Sequence, residues 1–281
     1  MIDLHAHTTC SDGTDSPLAL VKKAASSGIT VLGISDHDST AGWAEATEAL
    51  HGNLQLALGA EVSCLTEDNV SVHMLGLLFD GENQPLQQLL SDSRDTRIPR
   101  MKKMIENLQG AGYEITLEDV SAATPAGATL GRPHLADALV AKRIVKSRDE
   151  AFSDLLNNDS PFYVSHFAPT PEDSIRAIRA AGGVAVIAHP FASRRGQTLS
   201  PESFASLVAA GLNGIEVFHR DQSEDERKQL IEIAHALDLV ITGSSDYHGT
   251  GKLNQLGENT TAAAEWERLE SMADHRRVVS R

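Results

Sequence analysis

Residues that can ligate a metal recur at the ends of short apolar, β-branched runs along the whole chain. Only a fold that gathers strand ends can use them together. The first run leads into Asp3-Leu4-His5-Ala6-His7, and Asp12 follows closely. A strand alternates its side chains between two faces, so His5 and His7 project together while Leu4 and Ala6 face the other way. Two imidazoles about 7 Å apart along a strand can share one ion. Later runs lead into Ser35-Asp36-His37-Asp38, Gly59-Ala60-Glu61, Ala188-His189-Pro190, Glu216 with His219, and Ser245-Asp246-Tyr247-His248, while His73 lies inside a run of its own. In a parallel barrel the carboxyl ends of the strands meet at one face, where sites form.

The apolar runs alternate with helical patterns, which predicts an α/β sheet built from βα units. Seven strands are expected, at Ile2–His5, Thr30–Ile34, Gln55–Leu58, Val70–Leu77, Val184–Ile187, Gly214–Phe218 and Leu239–Thr242. Helices are expected at Pro17–Ser26, Ala41–Leu50, Pro171–Ala181, Pro201–Ala210 and Glu224–Leu237, with a last one in the tail Thr260–Arg281. Between the fourth and fifth strands no further strand is predicted. Gln84–Gln109 reads as one long helix there, followed by Leu117–Ala122, His134–Ala141 and Arg148–Leu156. The expected organisation is a barrel from residues 1–98 and 163–281, with a helical insertion at 99–162 capping its mouth.

The hydrophobic share of 41% supports a real core. No apolar run approaches the roughly 18 residues of a membrane helix, and no basic-then-apolar leader opens the chain. Two cysteines, Cys10 and Cys64, suit a reducing cytoplasm and are expected to be small packed hydrophobes. The net charge of −15 disfavours long nucleic acid, whose binding rests on a broad basic face. It still permits a small anion drawn into a locally positive pocket. Of the other histidines, His51, His166, His235 and His275 fall on helices or connections and are read as solvated or packed.

His5, His7, His37, His73, His189 and His248 join Asp12, Glu61 and Asp246 as candidate ligands, too many for one ion. The supply fits two or three divalent ions with a bridging carboxylate, and mixed nitrogen and oxygen donors suit manganese, zinc or iron. Ions held about 3.5–4 Å apart can clamp the attacking and leaving oxygens of a displacement at phosphorus. Glu216 and Asp36 are expected to stand behind the ligands and orient imidazoles.

His5-Ala6-His7, Ser35-Asp36-His37-Asp38, Ala188-His189-Pro190 and Ser245-Asp246-Tyr247-His248 together resemble the four motifs of the PHP (polymerase and histidinol phosphatase) family. The resemblance implies a distorted (β/α)7 barrel with a trinuclear centre. By motif, His5, His7, Glu61 and Asp246 would hold one ion. Glu61 would bridge to a second with His73 and His189, and Asp12, His37 and His248 would hold a third. The insertion, with its Gly131-Arg132-Pro133-His134, resembles a subgroup that removes the 3′-phosphate from nucleoside 3′,5′-bisphosphates, with relatives that trim short 5′-phosphorylated oligonucleotides.

The insertion adds its own signal. Arg94, Arg97, Arg100, Lys102 and Lys103 crowd positive charge into an acidic chain. Arg97, Arg100 and Lys103 share a helical face and predict a clamp for a second phosphate, completed by Arg132, His134, Arg194 and Arg195. His134 or His219 is expected to protonate the leaving oxygen. The expected activity is a manganese-dependent phosphatase in the cytoplasm, acting on a small phosphorylated nucleotide. The alternatives are a histidinol phosphate phosphatase and a non-catalytic polymerase-associated module. A C–N hydrolase is disfavoured, since no lysine stands at a strand end for the carbamylated arrangement such enzymes use.

Overall fold

The fold comes from a computed structural model that describes residues 1–158, 160–165, 168–275 and 278–280, with the side chain of Arg195 also outside that set. Seven strands form one sheet in chain order: β1 (Ile2–Asp3), β2 (Val31–Ile34), β3 (Gln55–Leu65), β4 (Ser71–Leu77), β5 (Val184–Ala188), β6 (Gly214–Phe218) and β7 (Val240–Gly243). Beyond β1 and β7, Ala6 pairs with Tyr247 in a single parallel bridge, which nearly closes the sheet into a barrel. The helices are α1 (Pro17–Ser26), α2 (Trp43–Glu48), α3 (Gln84–Asp95), α4 (Arg97–Gly110), α5 (Leu117–Ala123), α6 (Arg132–Ala141), α7 (Arg148–Ala151), α8 (Pro171–Ala180), α9 (Ser203–Ala210), α10 (Glu224–Ala236) and α11 (Ala263–Ser271).

The strands bury both faces, and their period of two sorts side chains into two cores. In β5, Ala185 and Ile187 join the larger core with Leu20, Val21 and Ala24 of α1. Val184, Val186 and Ala188 join the smaller one, with Trp266 and Leu269 of α11. That second face leads to the site. Along β3 it carries Ala57 and then Glu61, and along β4 it carries Leu77, Leu75 and then His73. Apolar layers thus give way to charge on one side of the same strands.

Two expectations are corrected here. The barrel is not wholly parallel, because β4 runs antiparallel to both β3 and β5. The short link between β3 and β4 explains this. Asn69 takes a positive φ of 64° and its N–H returns to Thr66, so the chain reverses within a few residues. A parallel crossover would need a dozen or more. β3 also continues past Leu58 to Leu65, which places Glu61 inside the strand and opposite Leu75. The single helix expected over Gln84–Gln109 is two, divided at Thr96. Pro99 lacks an N–H and its ring would clash with the carbonyl of residue 95, so it is tolerated in the first turn of α4 but not inside a continuous helix.

Smaller differences lie at ends. The expected Arg148–Leu156 helix is α7 followed by a π-helical turn over Phe152–Leu156, and the tail helix is confined to Ala263–Ser271. The insertion has a core of its own, in which Met104, Leu108, Ile115, Val120, Leu135 and Leu156 pack together. No described helix is long and apolar enough to cross a membrane.

Candidate metal centre

His5 and His7 follow β1 on extended chain tied to Tyr247, and their Nε2 atoms lie 3.0 Å apart. Both are wholly buried. Glu61 Oε2 stands 3.2 Å from His5 Nε2 and 3.1 Å from His7 Nε2. Asp246 Oδ1 stands 3.4 Å and 3.3 Å from the same two atoms. Four donors held around one ion at about 2.0–2.1 Å in a tetrahedron would be spaced about 3.3 Å apart. These spacings therefore suit a shared cation.

The outward nitrogens settle which atoms point inward. His5 Nδ1 lies 3.0 Å from Glu216 Oε1, and His248 Nδ1 lies 2.8 Å from the Asp246 carbonyl oxygen. An acceptor at Nδ1 keeps its proton there and leaves the Nε2 lone pair facing the cluster. Glu216 also takes the His189 backbone N–H through its other oxygen, so it braces two candidate ligands. Asp36 acts one step further back. It accepts from Ser11 Oγ at 2.7 Å, and Ser11 in turn meets His7 Nδ1 at 3.3 Å.

Three further groupings surround this one. His7, Asp12, His37 and His248 converge, as do His37, Glu61 and His73, and His5, His189 and Glu216. Glu61 links them, with Oε1 2.7 Å from His73 Nδ1 and 3.3 Å from His189 Nε2. His37 Nδ1 and His248 Nε2 are buried without a hydrogen bond, although each has a carboxylate oxygen within 3.1–3.2 Å. Near contacts at angles unsuited to hydrogen bonding are what donors aimed at a common point produce. The backbone is strained here too, with positive φ at Asp38, His189 and Asp246.

The electrostatics follow from the crowding. Burial pushes the His7 imidazole down, but Asp246 and Glu61 outweigh it and hold it at about 9. Burial drives His248 down to about 4, helped by His7 and Lys252. Glu61 would be raised by burial, yet His73, His37 and His5 hold it well below the carboxylate range. Asp12 is held low in the same way by His248 and His37.

A cleft of about 880 Å³ opens over these groups, lined by Asp12, His37 and His73 on one side and by Arg97, Arg100 and Arg132 on another. The arginines differ in what they do. Arg97 is buried, and its guanidinium bonds Asp38 Oδ2, Ser63 Oγ and the Leu130 carbonyl oxygen. Arg100 donates from Nε to the Val164 carbonyl at 2.7 Å and stacks on Tyr163. Arg132 donates to the Leu156 carbonyl and to Asn158, and lies over Phe152 and Tyr163. Neither Arg100 nor Arg132 has a carboxylate partner among the described residues. Burial and the neighbouring Arg132 push Arg100 down to about 9, so Arg100 stays charged at neutral pH.

The remaining candidate residues fall in different surroundings. Lys103 is exposed and paired with Glu106, outside the cleft lining. Arg194 does line the cleft. The side chain of Arg195, like His166, lies outside the described residues. His134 caps α6: its Nδ1 accepts from the Gly131 N–H at 3.1 Å, and the Ser11 backbone is its other partner. Burial pushes its imidazole down. His219 is wholly buried, with Nδ1 accepting from the Asp221 N–H and Nε2 3.4 Å from Asp246 Oδ2. Cys64 sits in the larger core, whereas Cys10 is only half-buried. Three residues were passed over in the sequence: Ser11, Arg148 and Lys252. Lys252 had a signal, as the one cation in the Gly-Thr-Gly-Lys turn after His248.

Comparison with known proteins agrees. The PHP domain model matches residues 3–151. A 3′,5′-nucleoside bisphosphate phosphatase from Chromobacterium violaceum is 33% identical over 252 residues, covering 89% of this chain and 88% of that protein. The chain belongs to the PHP family. A 5′-3′ exoribonuclease from Haemophilus influenzae is 32% identical over 92% of this chain and 93% of its own. A solved structure from Bifidobacterium adolescentis, described as a candidate metal-dependent phosphoesterase, superposes with a TM-score of 0.92 at 41% identity, covering 96% of each chain. The family relationship supports a hydrolase of phosphoesters whose histidine and carboxylate clusters can bind several ions.

Proposed function

We propose that this PHP-family chain removes the 3′-phosphate from nucleoside 3′,5′-bisphosphates, leaving a nucleoside 5′-monophosphate and phosphate. The observation that carries the proposal is the pair Arg100 and Arg132, two part-buried guanidiniums that have no carboxylate partner among the described residues and line the same cleft as Asp12, His37 and His73. A part-buried cation without a counter-charge is disfavoured, and an anion supplied by substrate offsets that cost. One phosphate then rests on the arginines while the other sits at the ligand clusters. The fixed separation of two phosphates on one ribose lets the unreacting group position the reacting one.

His5, His7, Glu61 and Asp246 would hold one ion, His73 and His189 a second shared with Glu61, and Asp12, His37 and His248 a third. Divalent ions, manganese by expectation, would acidify a water and take up charge on the phosphoryl oxygens. The chain itself orients His5 and His189 through Glu216, orients His7 through Ser11, and holds Asp246 through His219. We propose that residues 99–162 act as a cap that brings the arginines over the barrel mouth. The volume of the cleft also favours a second reading, the trimming of short 5′-phosphorylated oligonucleotides, for which the Haemophilus influenzae exoribonuclease is a precedent by name. We place the protein in the cytoplasm.

Phosphate release tests this. With manganese, the 3′,5′-bisphosphate is expected to be the best of a panel that also holds a 5′-monophosphate, histidinol phosphate and a short 5′-phosphorylated oligonucleotide. Chelation followed by dialysis should abolish the activity. Undiminished turnover after chelation, or histidinol phosphate as the best substrate, contradicts the proposal.

A further inference from the structure

Lys252 lies beside the ligand clusters but belongs to none of them. Its Nζ is 2.8 Å from Asp246 Oδ2, the oxygen turned away from His5 and His7, and the residue lines the large cleft together with Asp12 and His37. An ammonium has three N–H bonds, and among the described residues Asp246 is its one hydrogen-bonding partner. The side chain is about one-third exposed (32%), at the boundary between the buried clusters and the cleft.

The loop that presents it is held from several sides. Gly249 has a φ of +68°, and a Cβ there would meet Thr14 Oγ1 at 2.1 Å. A Cβ on Gly251 would meet Arg148 Nη1 at 2.2 Å. Thr250 N–H donates to Thr14 Oγ1 at 2.8 Å, and the Gly251 carbonyl accepts from Arg148, itself held by both oxygens of Asp137. The lysine is therefore fixed by its loop and not a free surface chain. A rigid support of this kind is what a preorganised contact requires.

We propose that Lys252 contacts the reacting phosphoryl group, donating its two remaining N–H bonds to phosphate oxygens while Asp246 holds the third. This rests on the reading of the site as a phosphoesterase. It assigns a different role from that of Arg100 and Arg132, which would grip the phosphate that does not react. Removing Lys252 should therefore weaken every phosphoester substrate alike, whether or not it carries a second phosphate.

The test is Lys252→Met, which keeps the stem and removes the charge and donors. Metal content is measured by elemental analysis, inorganic phosphate binding by calorimetry with manganese present, and hydrolysis on a nucleoside bisphosphate and on an aryl phosphate. Expected are unchanged metal content, phosphate binding weaker by about 10–10²-fold, and similar losses of kcat/KM on both substrates. Unchanged phosphate affinity overturns the proposal. So does loss of bound metal, which would make Lys252 only a prop for Asp246, and so does a loss confined to the bisphosphate. If the unaltered protein hydrolyses neither substrate, the phosphatase reading fails, while the phosphate titration still decides the role of Lys252.

Discussion

His7 and His248 share the same cluster yet are driven in opposite directions, and this makes stability depend on pH in two windows. His7 is held at about 9, above the ordinary 6.5, so the stability it contributes is full below pH 6.5 and is lost as pH rises through 9. His248 is held at about 4, so its contribution is full above pH 6.5 and is lost as pH falls through 4. Metal-free protein is expected to be most stable near pH 6.5, with an alkaline loss of about 3 kcal/mol from His7. A divalent ion that displaces the His7 proton should flatten that alkaline limb. Thermal melts across the range, with and without manganese, check this; metal-free protein that melts highest near pH 9 contradicts it. The nine candidate ligands were legible because their chemistry is restricted to a few residue types at strand ends. Of their supports, Glu216 and Asp36 were legible beside the motifs, while Ser11 and Lys252 were not, since these become meaningful only through contacts made in the folded chain.

At the scale of elements, α4 shows how a correct pattern can carry two meanings. Arg97 and Arg100 share a helical face, but Arg97 reaches Asp38 and Ser63 whereas Arg100 faces Tyr163 and Arg132. Helical spacing gives the face and leaves the partners open. Arg97→Met leaves the Asp38 carboxylate buried without its cation, bonded among the described residues only by Ser63, so it is expected to cost about 3 kcal/mol. Denaturant unfolding measures this, and an unchanged midpoint would show that Asp38 does not depend on Arg97. Arg100→Ala should lower kcat/KM for the bisphosphate by about 10²-fold and hardly affect an aryl phosphate. Equal losses on the two would place Arg100 at the reacting phosphate or in the framework. The reversal of β4 was hidden for a related reason. Alternating apolar residues announce a strand, while its direction is set by the length and turn chemistry of the link, here Thr66 to Val70.

Across the whole molecule, an acidic chain with a net charge of −15 still lines the large cleft with Arg97, Arg100, Arg132, Arg148, Arg194, Arg220 and Lys252. The barrel supplies the ligand clusters, and the insertion supplies Arg100 and Arg132 from its own separately packed core. Fold class and metal chemistry were legible because both rest on motifs spread along the chain. Substrate geometry was less so, because it depends on contacts between distant segments, such as Arg97 with Asp38 and Arg100 with Val164, that spacing does not show. The central claim is that two anion sites act on one substrate. The most direct test is the ratio of kcat/KM for a nucleoside 3′,5′-bisphosphate to that for the nucleoside 3′-monophosphate, with manganese present. A ratio of about 10² or more is predicted, because the 5′-phosphate on the arginines contributes binding energy at the transition state. A ratio near one would contradict it.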